Sequence, residues 1–157
     1  MRRERGFTLI ELLIVIAIIA IIAAIATLSY FNSIDRARQK RTMNDIRQIA
    51  AAWEARATDT NSYSAAGYNF PTTDVTYETL HTALTPTYTK NMPRTDGWGT
   101  AFEFATGGDK EYAVRSAGKD KTFQGDEYTA GGTQESDCDI VYGNGSFIVY
   151  PQGIKPK

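Results

Sequence analysis

The chain opens with its most apolar stretch. From Phe7 to Leu28 every residue is hydrophobic except Thr8, Glu11 and Thr27. A helix of these 22 residues would be roughly 33 Å long, enough to cross a hydrocarbon core of about 30 Å. A second pattern starts at Met43: Met43, Ile46, Ala50, Trp53 and Ala57 recur at helical spacing, with Ile49 widening the stripe, so one face of this segment needs a cover. Asp35 to Arg41, between the two patterns, is polar all round. No glycine falls between Gly6 and Gly67, and no proline precedes Pro71, so nothing forces the backbone out of a helix. The pattern predicts one helix from about Phe7 to about Thr58, roughly 75 to 80 Å long.

Beyond it the period changes. Thr58 to Thr73 is rich in Thr, Asn, Ser, Gly and Tyr and reads as a surface loop. Val75 to Leu84, with Tyr77, Leu80 and Leu84 on one side and Pro86 after its end, predicts a short helix. Asp96-Gly97-Trp98-Gly99 reads as a turn carrying a large aromatic anchor. Alternation then predicts strands at Ala101–Ala105 and Glu111–Ser116, turned at Gly107-Gly108-Asp109. A second hairpin is predicted from Asp139 to Tyr150, turned at Gly143-Asn144-Gly145. Two hairpins with one apolar face, and a helix stripe that needs covering, predict an α+β fold. In it a small C-terminal antiparallel sheet packs on the second half of the long N-terminal helix.

Composition and charge narrow the class. The 157 residues fit one domain, and the formal charge of −1 implies no nucleic-acid partner. Cys138 is the only cysteine, so no disulfide can form within the chain. Arginines precede the apolar segment (Arg2, Arg3, Arg5) and basic residues follow it (Arg36, Arg38, Lys40, Arg41), so the distribution of cations does not orient it. A membrane anchor and a secretory signal peptide cleaved near Ala24-Ile25-Ala26 both fit the apolar run. Glu11 fits neither, since an ionisable group in such a segment is costly and implies a partner.

Gly6-Phe7-Thr8-Leu9-Ile10-Glu11, after a short basic leader and before a hydrophobic helix, resembles the processing signal of the type IV pilin and type II secretion pseudopilin family. The resemblance implies that a prepilin peptidase cuts between Gly6 and Phe7 and methylates the new Phe7 amine. It implies that the helix stays on the mature protein and that Glu11 pairs with the Phe7 amine of its own or a neighbouring subunit during self-assembly into a helical fibre. It also implies an inner-membrane assembly platform and minor pseudopilins as partners. The protein would span the bacterial cytoplasmic membrane once, with its C-terminal domain outside the cytoplasm. Removing a leader of net charge +2 takes the formal charge from −1 to −3. The expected organisation is leader 1–6, membrane and assembly helix 7–28, soluble half of that helix 29–58, loop and short helix 59–100, and sheet with acidic loop 101–157. Leu28 and Ala20 stand where the family commonly carries a proline and a glycine, and propensity favours unbroken helix there.

The connection from Ser116 to Asp139 holds six carboxylates, and a loop of that length between paired strands is functional or mobile. It offers the carboxylate, hydroxyl and carbonyl oxygens that calcium prefers, without the spacing of an EF-hand. It also resembles the loop of the major pseudopilins of type II secretion, which implies calcium ligands at Ser116, Asp120, Asp137 and Asp139; a solvated acidic loop is the plain alternative. Catalysis has little support: Asp137 and Asp139 flank Cys138 and oppose its thiolate, and no motif links it to His81. The leading expectation is the major pseudopilin of a secretion fibre. A type IV pilus subunit for adhesion, motility or DNA uptake is the alternative within the family, and a monomeric membrane-anchored binding module the alternative outside it.

Overall fold

The computed structural model describes residues 6–63, 74–107, 111–125 and 128–152. Its elements are α1 (Leu9–Thr60), β1 (Asp74–Val75), α2 (Tyr77–Leu84), β2 (Glu103–Thr106), β3 (Tyr112–Ser116), β4 (Gly131–Thr133), β5 (Ile140–Gly143) and β6 (Ser146–Pro151). Two compact units emerge, Met1–Ile34 and Asp35–Lys157, and α1 contributes to both.

In the first unit the described side chains from Gly6 to Phe31 are all exposed, among them Phe7, Ile21 and Ile25. An apolar helix without a polar face calls for lipid or other helices around it. The segment is long and apolar enough to cross a membrane.

In the second unit the predicted stripe is the covered face. Ile46, Ile49, Ala50 and Trp53 are buried with Leu80 and Leu84 of α2 and with Phe104, Tyr112, Val114 and Ile140 of the sheet. Trp53 lies edge-on to Phe104 and 5.1 Å from the Tyr112 ring, and its indole N–H donates to the Tyr63 carbonyl at 2.8 Å. The buried ring thus gains area and a satisfied polar tip.

The sheet has six strands in the order β1-β2-β3-β5-β6-β4. β2 and β3 pair with Phe104 opposite Val114, and β5 and β6 close through Asn144 and Gly145, both at positive φ as a tight hairpin turn requires. Two strands depart from the sequence expectation. β4 is an added edge that pairs parallel to β6, so the sheet is not wholly antiparallel. β1 takes Val75 out of the predicted helix and pairs it with Phe104; Thr76 then caps α2, its hydroxyl accepting from the Thr79 N–H, and α2 starts at Tyr77. β2 begins at Glu103, because Ala101 is spent on a bridge to Thr95 and Phe102 donates to Arg94. The turn at Gly107-Gly108-Asp109 and the loop around Gly67 and Pro71 lie wholly or partly outside the described residues.

Candidate functional site

At the N-terminus, Thr8 and Glu11 form a reciprocal capping box. The N–H and Oγ1 of Thr8 both donate to Glu11 Oε2, at 2.8 and 2.7 Å, and the Glu11 N–H donates to Thr8 Oγ1 at 3.3 Å. The helix therefore starts at Leu9 and leaves Gly6, Phe7 and Thr8 in irregular backbone. Phe7 is 87% exposed, and a Cβ on Gly6 would meet no atom within 4 Å. Among the described residues nothing in the packing asks for glycine there. The Thr8-x-x-Glu11 spacing is a readable capping signal.

The second site is the connection from β3 to β5, which contains β4, and the strand ends that hold it. Arg115 on β3 is its staple: the guanidinium bonds Glu103 at 2.7 and 2.9 Å, donates from Nη1 to the Gly125 carbonyl at 2.6 Å, and lies 4.7 Å from the Phe123 ring centre. Nη1 also donates to the Tyr128 hydroxyl at 3.1 Å, and that hydroxyl donates to Asp139 Oδ2 at 2.6 Å. Burial and the Asp139 carboxylate push the Tyr128 phenol up to about 12. Asp139 is 1% exposed; its Oδ2 also accepts from the Gln124 N–H at 2.9 Å, while its Oδ1 is buried without a hydrogen-bond partner.

The four expected calcium ligands are placed unequally. Ser116 is fully buried, its hydroxyl donating to Asp96 Oδ2 at 2.7 Å and accepting from the Gly118 N–H at 3.2 Å, which leaves one lone pair. Asp120 is exposed and caps the Thr122 N–H at 3.0 Å; Asp137 is exposed, its carbonyl accepting from Gln124 Nε2 at 3.2 Å. Gln124 thus draws the start of the loop against Asp137 and Asp139. Among the described residues no group of three or more His, Cys, Asp or Glu is gathered as a metal site. Asp126 and Glu127 lie outside the described residues.

Two family profiles then account for most of the chain. The prokaryotic N-terminal methylation motif matches residues 1–27, and type II secretion system protein G matches residues 29–135. The chain belongs to the type II secretion protein G family. A curated relative, type II secretion system core protein G of Vibrio cholerae serotype O1, is 29% identical over 119 residues, covering 70% of this chain and 76% of the relative. No solved structure matches.

Membership makes this protein G homologue a pseudopilin, and decides between the secretion fibre and the surface pilus that the residues left open. The family is a structural one. Consistent with that, burial and the charge of Glu135 push the Cys138 thiol up, away from the thiolate a nucleophile needs, and His81 sits on α2 beside the Tyr77 ring.

Sequence reasoning missed Asp96 as a structural centre of this pseudopilin. It is 2% exposed, its Oδ1 accepts from the N–H groups of Trp98 and Thr100, and its Oδ2 takes the Ser116 hydroxyl. The Asp-Gly pair was legible as a turn, but the partner twenty residues on was not. Gly97 is required by close approach, since a Cβ there would lie 2.7 Å from the Arg38 carbonyl oxygen. Also missed was the anchorage of the loop to α1: Lys119 Nζ meets Asp35 Oδ2 at 2.8 Å, and Gln39 Nε2 donates to the Glu135 carbonyl at 3.4 Å. Both reach across about a hundred residues of sequence, where no local pattern records them.

Proposed function

We propose that this chain is the major subunit of a short extracytoplasmic fibre that drives proteins outward through a type II secretion system. The observation that carries the reading is the adjacency of the two family matches, 1–27 and 29–135, on a helix whose first half is apolar on every side. A prepilin peptidase cuts between Gly6 and Phe7, which lie in exposed irregular backbone, and methylates Phe7. The subunit waits in the cytoplasmic membrane with its C-terminal domain outside, then joins the fibre through residues 7–28 with the help of an inner-membrane platform and minor pseudopilins. Glu11, capped by Thr8 in the single chain, pairs in the apolar bundle with the Phe7 amine of a neighbour. Deleting the gene tests the reading: secreted enzymes should accumulate inside the cell while surface motility is unchanged. Lost motility with normal secretion would refute it.

Calcium at the connection from β3 to β5 is part of the same proposal. Asp139 supplies the first oxygen, since its buried Oδ1 has no other partner, and Asp120, Asp137 and the remaining lone pair of Ser116 are the further donors. When bound, the ion fixes the loop on the sheet. A site filled at a hundred times its dissociation constant would add about 2.7 kcal/mol, several degrees of melting temperature for a domain this size. Equal melting in calcium and in chelator would refute the site. Magnesium should do less, because it keeps its water and demands octahedral geometry.

A further inference from the structure

We propose that Lys119 and Gln39 couple the cation site of the connection from β3 to β5 to α1, so that filling the site fixes residues 35–41 of the helix against the domain. The coupling rests on the calcium reading and adds what the ion controls. Each arm of the connection carries an anchor beside a donor: Lys119 precedes Asp120, and Glu135 lies two residues before Asp137. On the first arm Lys119 Nζ meets Asp35 Oδ2 at 2.8 Å; on the second the Glu135 carbonyl accepts from Gln39 Nε2 at 3.4 Å. The arms are also joined to each other. The Lys119 N–H donates to the Ser136 carbonyl at 3.0 Å, and Gly118 lies so close to the second arm that a Cβ on it would be 2.6 Å from the Cys138 carbonyl oxygen. A movement of the donors therefore moves both anchors.

Asp35 and Gln39 are buried one helical turn apart on one face of α1, and the second compact unit begins at Asp35. Further along that face other parts of the domain take over: Thr42 Oγ1 accepts from the Gly97 N–H at 2.9 Å, and Ile46, Ile49 and Trp53 enter the core. The packed part of α1 thus begins where the connection holds it. With no cation between them, the carboxylates of Asp120, Asp137 and Asp139 repel one another and favour parted arms; a divalent cation among them favours closed ones. The closed arrangement is the one in which Lys119 reaches Asp35 and Gln39 reaches the Glu135 carbonyl. By linkage the effect runs both ways, so the bonds to α1 tighten cation binding by the factor by which the cation strengthens those bonds. Lys119 and Gln39 are positioning residues, since neither is among the donors. An ammonium one residue from a donor would by charge alone weaken cation binding, so replacing Lys119 separates coupling from simple electrostatics by sign.

The test uses the full chain in detergent micelles, well below its melting temperature, in calcium chloride or in chelator. Hydrogen exchange read by mass spectrometry should show the amides of residues 35–41 exchanging about tenfold more slowly in calcium than in chelator, with those of residues 46–57 equal in both. In Lys119→Met, residues 35–41 should exchange at the chelator rate in both solutions, and calcium should bind about tenfold more weakly despite the lost positive charge. Gln39→Leu, which changes no charge and no donor, should shift both readings in the same direction by a smaller factor. Residues 35–41 indifferent to calcium while the amides of the connection slow, a Lys119→Met chain that binds calcium as tightly as the parent or tighter, or a Gln39→Leu chain identical to the parent in both readings would each overturn the coupling. A parent chain that binds no calcium would instead overturn the calcium site, and the coupling with it.

Discussion

Lys119→Met and Asp35→Asn cut the same ion pair, yet the structure predicts unequal costs. The Asp35 side chain is 9% exposed and that of Lys119 is 47% exposed. Removing the lysine strands a carboxylate that has left water, and breaking a fully buried pair in that way costs about 3 to 5 kcal/mol. Half of Lys119 is solvated, which moves the expectation towards the surface limit of about 0 to 1 kcal/mol, so about 2 kcal/mol is reasonable. Removing the aspartate charge strands nothing, because the ammonium swings into water, and about 0.5 to 1 kcal/mol should be lost. For a domain of this size each kcal/mol is worth about 3 to 5 °C, so Lys119→Met should melt about 6 to 10 °C below the parent and Asp35→Asn about 2 to 5 °C below. Asp35→Leu with Lys119→Met, which removes both charges, should recover most of the loss. Thermal and urea melting of a soluble protein beginning near Ser33 measures all three. Equal costs, or a larger cost for Asp35→Asn, would refute the claim that a buried carboxylate anchors the loop to α1.

Gly118→Ala should lose about 2 kcal/mol or more, because Gly118 has φ +68 and a Cβ there would lie 2.6 Å from the Cys138 carbonyl oxygen; urea melting at the parent's stability would contradict this. Asp45 gives a pH signature. Burial raises its pKa more than Arg41 lowers it, so the folded state binds the proton more tightly than the unfolded chain, and this contribution to stability grows as pH falls through the raised value and is lost as pH rises through it. Asp45→Asn should therefore be more stable than the parent at neutral pH, with the advantage shrinking in acid; an advantage that grows in acid would contradict it.

The parts of the fold legible in the sequence are those written in side-chain period. Met43, Ile46, Ala50, Trp53 and Ala57 announce their buried face, and the absence of glycine and proline announces one unbroken helix. Phe104 and Val114, or Ile140 and Val149, announce strands by alternation. β4 is invisible because Gly131 and Gly132 have no side chains to alternate, and main-chain pairing with β6 makes the strand. β1 is hidden in the sequence because two residues are too few to show a period, and tertiary pairing with β2 outweighs helix propensity at Val75. At the sites, the local spacing of Gly6, Phe7 and Glu11 is readable, whereas the links from Asp96 to Ser116, Lys119 to Asp35 and Tyr128 to Asp139 are contacts between segments that only folding brings together. The loop's acidity was legible, but its anchoring was not.

The central claim is that this chain is cut after Gly6 and then builds a fibre. Intact-mass measurement of the subunit in fibres sheared from cells that secrete through this system tests both halves at once. The account predicts fibres whose principal subunit begins at Phe7 and carries one methyl group on its amine. A fibre subunit beginning at Met1 or at Thr27, or preparations with the processed chain present in membranes and no fibre, would contradict it.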